Sequence, residues 1–483
     1  MVVAALLLAC VAPPGQPPEP PDETPEPPAL TTQPNIVWII ADDIGYDIKA
    51  YQNEFARTPT LDKLAREGVQ FWRFYTPASV CSPSRVGFST GQHPAEMGIY
   101  TTLQPTAEAN AQFNGAPGIQ PSVPTLFELL SPHGYRTGHA GKWHRGSITG
   151  FGPEDKGIDE IFSYAQPGGR SDDLGGLFRQ GPTPFYSQLD ARITDFAVDF
   201  IDRTAGPFFL EISYHTPHNP LHPPQEYLDQ FPHLRGHQAE EHVGLEPPMV
   251  TPAQVYYAAI KQLDDNVDRV MDALTAKGIE DDTIVLFTGD NGPGTRRLAA
   301  TSFNAYGSTG WFRGTKATVY EGGIRVPFIA KGPGFAEGVM LHEAISGTDI
   351  VPSLLSVLGI DSGETFYGED MSTMFYGNDV RRTKPIQWIT VQNRAVAEDI
   401  ANRSPVLAMY DPETDVKCLM QPGGQRKEAY LTGLSFDPAE LDNLHRSDPQ
   451  IPAACFESLG QWFESLPPPK RFRKGAGKLY PNR

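Results

Sequence analysis

Three predominantly apolar runs constrain this chain more than any other feature: the continuous Ile36-Val37-Trp38-Ile39-Ile40-Ala41, then Phe208-Phe209-Leu210-Glu211-Ile212 and Thr283-Ile284-Val285-Leu286-Phe287. A run of this kind suits a strand buried on both faces, and such strands belong to parallel sheets covered by helices on each side. The segments between them supply those helices. Thr58-Pro59 caps one that carries Leu61 and Leu64 and stops near Gly68, and Thr125 to Leu130 reads as a short second one. Thr251-Pro252 opens a long helix in which Ile260, Leu263, Val267, Val270 and Leu274 recur at helical spacing up to Gly278. Strands alternating with helices predict an α/β fold with a mostly parallel central sheet. Asp349 to Leu355 begins a further capped helix, and the large domain is expected to span 34–380. The shorter runs Ile386-Gln387-Trp388-Ile389-Thr390 and Val406-Leu407-Ala408-Met409-Tyr410 place a smaller unit in 381–483, in which Asp411 to Arg426 departs from a simple hairpin.

In such sheets ligands sit beyond the carboxyl ends of the strands. The first run ends in Asp42-Asp43 and the third in Asp290-Asn291-Gly292. Adjacent carboxylates repel, and a divalent cation is the usual means of holding them ionised together, although each pair taken singly also fits a cap or turn. All-oxygen donors favour Ca2+ or Mg2+ over Zn2+, and a crowded carboxylate shell suits Ca2+ better. The second run leads into Tyr214-His215-Thr216-Pro217-His218-Asn219-Pro220.

Between the first two runs stands Cys81-Ser82-Pro83-Ser84-Arg85, with Ser89-Thr90-Gly91 expected at the start of a helix. Pro83 presets the backbone, and Arg85 can turn back towards Cys81. Alone, Cys81 fits either a nucleophile tuned by that cation or a small buried hydrophobe. Lys142 and His144, two residues apart in Gly134 to Gly146, project to one side if the backbone is extended.

Charge narrows the partners. With 58 acidic and 39 basic residues the formal charge is -19, which repels nucleic acid and disfavours an anionic membrane surface. An anionic substrate therefore needs a local cluster of cations. Residues 1–10 form an apolar run too short to span a bilayer and read as an export segment; Leu7-Leu8-Ala9-Cys10 resembles a bacterial lipoprotein box that would lipidate Cys10. The Pro- and acid-rich stretch 11–33 reads as an extended tether, which predicts an exported, periplasmic or cell-surface protein anchored through Cys10. Of four cysteines, Cys418 and Cys455 are left as a possible pair in an oxidising compartment. Lys470-Arg471-Phe472-Arg473-Lys474 reads as a solvated tail.

Cys-x-Pro-Ser-Arg followed by Thr-Gly at 81–91 resembles the first signature of the sulfatase family, and Gly134 to Gly146 resembles its second. Arg313-Gly314-Thr315-Lys316 with Tyr320 to Pro327, and Asp437 to Leu444, resemble later stretches of the same family. The resemblance implies an alkaline-phosphatase-like fold with a small C-terminal antiparallel sheet packed with a helix. It implies that a maturation enzyme oxidises Cys81 to formylglycine, whose hydrate attacks a sulfate ester of a small molecule or glycan. Asp42, Asp43, Asp290 and Asn291 would hold Ca2+, or Mg2+, together with residue 81. Lys142 and Lys316 would contact the sulfate, with Arg85 adding charge. His144 would bond the diol and accept its proton, and His218 or Lys316 would protonate the leaving oxygen. His215, without a matching position, is expected to be structural or to sit behind the contact residues, and Glu321 and Arg325 are expected to form a supporting ion pair. A phosphonate monoester or phosphodiester hydrolase, and a silent glycan-binding protein, are the alternatives.

Overall fold

A computed structural model describes residues 33–103, 111, 114–146, 150–164, 182–234, 252–294, 306–391, 405–422, 426–432, 437 and 439–467. The export segment with Cys10, nearly all of the tether and the basic tail lie outside them.

The apolar runs are strands at the middle of the molecule. Strand β1 is Asn35–Ala41, followed by β2 Val69–Tyr75, β3 Arg136–Lys142, β4 Glu160–Tyr164, β5 Phe208–Ser213, β6 Thr283–Gly289, β7 Arg325–Lys331, β8 Val339–Leu341 and β9 Ile345–Ser346. They form one sheet in the order β4-β3-β5-β1-β6-β7-β2-β8, with β9 also on β2. From β4 to β6 every pair is parallel; β7 runs antiparallel to both β6 and β2. The mostly parallel sheet is therefore as expected.

Because side chains alternate along a strand, β1 serves two cores at once. Val37, Ile39 and Ala41 pack on the face that also holds Ile260, Leu263, Val267, Val270 and Leu274, while Ile36, Trp38 and Ile40 pack on the face holding Leu126, Leu130, Ile350 and Leu354. Each such buried aliphatic side chain contributes about 1.5–3 kcal/mol. The covering helices include α1 Pro59–Glu67, α2 Cys81–Thr90, α3 Leu126–Leu130, α4 Pro182–Arg203, α5 Pro252–Lys277 and α6 Ile350–Val357. Thr125 and Glu128 close a capping box on α3. The α2 boundary differs from expectation. The helix begins at Cys81, since proline is tolerated in a first turn, and Gly91 at φ 66° ends it.

Past residue 385 lies a four-stranded antiparallel sheet: β10 Ile386–Ile389, β11 Leu407–Asp411, β12 Val416–Met420 and β13 Glu428–Leu431. Helix α7, Ala453–Ser465, packs on it through Phe456 and Leu459. The expected irregularity after Asp411 is absent at its start: Asp411 pairs with Val416, closing an ordinary hairpin. Trp388, Tyr410 and Tyr430 join Tyr75, Tyr320 and Ile324 in a shared core, so this sheet buttresses the large one.

Cys418 and Cys455 are joined, stapling β12 to α7 across a sequence separation of 37. A loop of that length lowers the entropy of the unfolded chain enough to stabilise by about 3–4 kcal/mol. Replacing both cysteines by alanine is expected to lower the urea midpoint accordingly and to make it insensitive to reductant. An unchanged midpoint would show the staple to be idle.

Candidate active site

Beyond the carboxyl ends of β1 and β6 the two acidic pairs meet. The strands are adjacent and in register from Asn35 opposite Thr283 to Ala41 opposite Gly289, so Asp42-Asp43 and Asp290-Asn291 emerge side by side. The Asp43 amide donates to Asp290 Oδ1 at 3.0 Å and Asn291 Nδ2 to Asp43 Oδ1 at 2.8 Å. Asp43 takes φ 68°, a left-handed backbone that aspartate tolerates better than most residues.

Helix α2 delivers Cys81 onto these carboxylates. Its Sγ lies 3.4 Å from Asp42 Oδ1 and 3.8 Å from Asp43 Oδ1. Donor atoms of Asp42, Asp43, Cys81 and Asp290 all fall within 4.8 Å of one another, and all four residues are buried. Asn291 Oδ1 is buried beside them with no hydrogen-bond partner. Carboxylates gathered around an orphaned amide oxygen form a hard donor set, which fits a divalent cation of the Ca2+ or Mg2+ class.

Cations surround the acids. Lys142 Nζ binds the Asp42 carboxylate, and Lys316 Nζ binds Asp43 and lies 3.1 Å from Cys81 Sγ. Gly141, just before Lys142, lets β3 lie close against β5: at φ 103°, a Cβ there would come 2.0 Å from the Ser213 carbonyl oxygen. His144 also has a positive φ, 54°, so Lys142 and His144 do not share a side by strand alternation as expected; a turn carries both into the buried site. Burial, with the charges of Lys142 and Arg85, holds His144 well below its ordinary value and hence neutral.

Arg85 reaches the acid cluster around Cys81 through Asp290, whose carboxylate lies within 4.8 Å of Cys81 Sγ. Its Nε donates to Asp290 Oδ2 at 2.8 Å and Nη1 to the Lys142 carbonyl at 3.1 Å, both fully out of solvent. A buried guanidinium needs a buried carboxylate, and Asp290 is the one within its reach. The thiol is nevertheless not tuned downwards: burial, with Asp290 and Asp42, pushes Cys81 far up.

The loop after β5 closes another side. Asp190 on α4 accepts from the amides of His215 at 2.9 Å and Thr216 at 3.2 Å. His218 lies with Nε2 3.9 Å from Asp43 Oδ2 and Nδ1 2.6 Å from the Asn219 carbonyl oxygen. Ring nitrogens of both His215 and His218 fall within 4.8 Å of Asp42.

Two buried networks hold these parts, and the sequence announced neither fully. Glu321 pairs with Arg325 at 3.2 Å as expected, but Lys417 on β12 also binds Glu321 at 2.8 Å and Glu440 at 2.9 Å, while Glu440 accepts from the Glu321 amide at 3.0 Å. The small sheet thus anchors the segment that follows Lys316. On the other flank, Arg145 grips Glu211 at 2.8 and 2.7 Å, His139 lies 3.1 Å from Glu211, and Arg145 Nε supports the Arg85 carbonyl at 3.0 Å. A glutamate inside an apolar run was the available signal.

Burial alone would raise the Glu211 carboxyl from 4.5, yet the Arg145 charge and the His139 hydrogen bond hold it down to about 2. A depressed acid stabilises the fold fully above its unfolded value and loses that contribution as pH falls through the folded one. Glu211 is therefore expected to contribute on the order of 3 kcal/mol at neutral pH, lost between about pH 4.5 and 2. Glu211→Gln should flatten that part of the denaturation profile; an acid limb identical to wild type would refute the assignment.

Residues 34–360 match the family model described as Sulfatase. The chain belongs to the sulfatase family. It is a sulfuric ester hydrolase by descent, 32% identical over 381 residues to arylsulfatase A of Homo sapiens, a match covering 71% of this chain and 68% of that one. N-acetylgalactosamine-6-sulfatase of Rattus norvegicus is 32% identical, with 72% and 67% covered. The fold is shared with the solved structure of Ps i-CgsB in complex with k-i-k-neocarrahexaose, at TM-score 0.74 and 21% identity over 93% of this sulfatase and 99% of that chain. It is shared too with phosphonate monoester hydrolase of Agrobacterium radiobacter, at TM-score 0.64 and 18% identity over 89% and 95%.

Proposed function

We propose that this sulfatase hydrolyses sulfate esters of a carbohydrate, using a hydrated formylglycine made from Cys81 beside a Ca2+ ion, with Mg2+ the alternative. The observation that carries the reading is the position of Cys81 at the start of α2, in contact with Lys316 and two aspartates inside a hard donor set. Asp42, Asp43, Asp290 and Asn291 would hold the cation, which supplies Lewis-acid polarisation and charge neutralisation. Residue 81, oxidised by a maturation enzyme and hydrated, supplies a geminal diol, one hydroxyl to take the sulfuryl group and a second to expel sulfate.

The other side chains divide the remaining work. Lys142 and Lys316 neutralise the sulfate oxygens, and Arg85 serves them indirectly by holding Asp290 and the Lys142 carbonyl. His144, held neutral, can accept a proton from a hydroxyl at position 81. Lys316, kept protonated by Asp43 despite its burial, is the standing proton source for the leaving oxygen. His218 can give one only when its ring is charged, because its Nδ1 proton is committed to Asn219. A carbohydrate substrate is supported by the names of the relatives: an N-acetylgalactosamine-6-sulfatase, and a neighbour in complex with a neocarrahexaose. Export with lipidation at Cys10 accords with the Cys418–Cys455 disulfide, since such bonds persist in oxidising compartments.

The deciding experiment is the mass of the Cys81 peptide from protein made in its native host, after reaction with an aldehyde probe. Aryl sulfate, sulfated sugar, aryl phosphodiester and phosphonate monoester turnover are measured on the same sample. An aldehyde at 81 with preference for sulfate supports the reading. A free thiol throughout would overturn it in favour of a binding protein, and preference for phosphorus would favour the phosphonate alternative.

A further inference from the structure

The loop after β5 sets a second, softer donor set against the hard one. We propose that Asp42, His215 and His218 form a second binding site, one for Zn2+ that shares Asp42 with the oxygen site, and that filling it blocks hydrolysis. The inhibitory half of this rests on the reading that His218 lines the ester.

Donor atoms of the three residues lie within 4.8 Å of one another. Ligands about 2.0–2.2 Å from a tetrahedral ion stand about 3.3–3.6 Å apart, so side-chain adjustment alone would close the set. The imidazoles are already presented as a pair. The His218 amide donates to the His215 carbonyl at 2.8 Å, a turn that puts the two ring centres 5.4 Å apart with planes at 61°. Asp190 fixes the base of that turn through two backbone amides. His218 is also oriented as a ligand. With Nδ1 donating to the Asn219 carbonyl at 2.6 Å, Nε2 is the nitrogen with the lone pair, and it faces the carboxylates.

Chemistry separates this set from its neighbour. Two imidazoles and one carboxylate suit Zn2+ and its transition-metal relatives, whereas Asp43, Asp290 and Asn291 offer only oxygen and suit Ca2+ or Mg2+. Asp42 belongs to both groups. An ion on His218 Nε2 occupies the nitrogen that the proposed function places beside the ester's leaving oxygen, so hydrolysis stops without displacement of the hard cation.

The test uses matured full-length enzyme held in excess Ca2+. Zn2+ is titrated while sulfate-ester hydrolysis and metal binding are followed, and Co2+ replaces Zn2+ in a parallel series read by visible absorption. Wild type is expected to bind one Zn2+ and lose activity over the same range, and Co2+ should give the intense band of a nitrogen-ligated ion of low coordination number. His215→Gln should raise the half-inhibiting Zn2+ concentration about tenfold or more, with activity read relative to the variant's own rate in Ca2+ without Zn2+, and weaken the Co2+ band. Zn2+ inhibition that Ca2+ reverses in proportion would place Zn2+ in the oxygen site and overturn the proposal. So would a Co2+ spectrum of all-oxygen type in wild type, which needs no variant to fold. One Zn2+ bound in a His215-dependent manner without loss of activity would uphold the site and overturn the location of the ester at His218.

Discussion

Cys81→Ala is expected to lower kcat for sulfate-ester hydrolysis by about 10⁴-fold or more, the scale of losing a covalent catalyst. Folding should survive the change, since the side chain is small and its pocket is lined by polar groups that keep other partners: Asp42 holds Lys142, Asp43 holds Lys316. The competing reading, a thiolate nucleophile tuned by Arg85, is disfavoured because burial beside the carboxylates of Asp290 and Asp42 pushes the Cys81 thiol far up. Cys81→Ser separates the two chemistries further. A serine has one hydroxyl, so it can accept a sulfuryl group but has no second hydroxyl with which to expel it. The expected record is at most one equivalent of alcohol released per enzyme, followed by arrest and a stable sulfated peptide at position 81. Steady turnover by the serine variant would sink the two-hydroxyl mechanism, and near-normal turnover by the alanine variant would remove residue 81 from the chemistry altogether.

What could be read in advance follows from the range of each interaction. The three central strands and their helices were legible because burial on both faces writes itself into consecutive residues, and β1 with no exposed side chain is the extreme case. The acidic pairs were legible because strand ends in a parallel sheet converge in space whatever lies between them in sequence. Long-range partners were not. Nothing local to Arg85 says that it will pair with Asp290, 205 positions away. Lys417 lay in a stretch expected to be irregular and turned out to bridge Glu321 and Glu440 from the small sheet. His144 shows the limit of periodicity: its two-residue spacing from Lys142 predicts a shared side only on an extended backbone, and one positive φ removes that premise. His215 has no matching motif position, although a histidine three residues from another in one loop is a recognisable spacing for a shared ligand.

Lys316→Met should cost about 10²–10³-fold in kcat, the scale of removing one preorganised charge from a buried transition state. Its surroundings make the side chain difficult to replace. The Lys316 amide is held by the Pro293 carbonyl at 2.9 Å, and the neighbouring Ala317 amide by Ser79 at 2.7 Å, so the ammonium is delivered to Cys81 Sγ and Asp43 from a fixed backbone. Lys316→Arg is expected to recover little, because a planar fork cannot reproduce a compact ammonium in a site with 12% of the lysine side chain exposed. Two roles for this lysine predict different substrate dependence. If Lys316 protonates the leaving oxygen, an aryl sulfate whose phenolate leaves readily should lose far less rate in Lys316→Met than a sugar sulfate whose alkoxide must be protonated to depart. If it only neutralises the sulfate, both substrates carry the same group and should lose the same factor. Kinetics on the two substrates with His218→Gln measured beside them assign the proton: a leaving-group-dependent loss confined to one variant names the donor, and an equal loss for both substrates in both variants would return the proton to solvent.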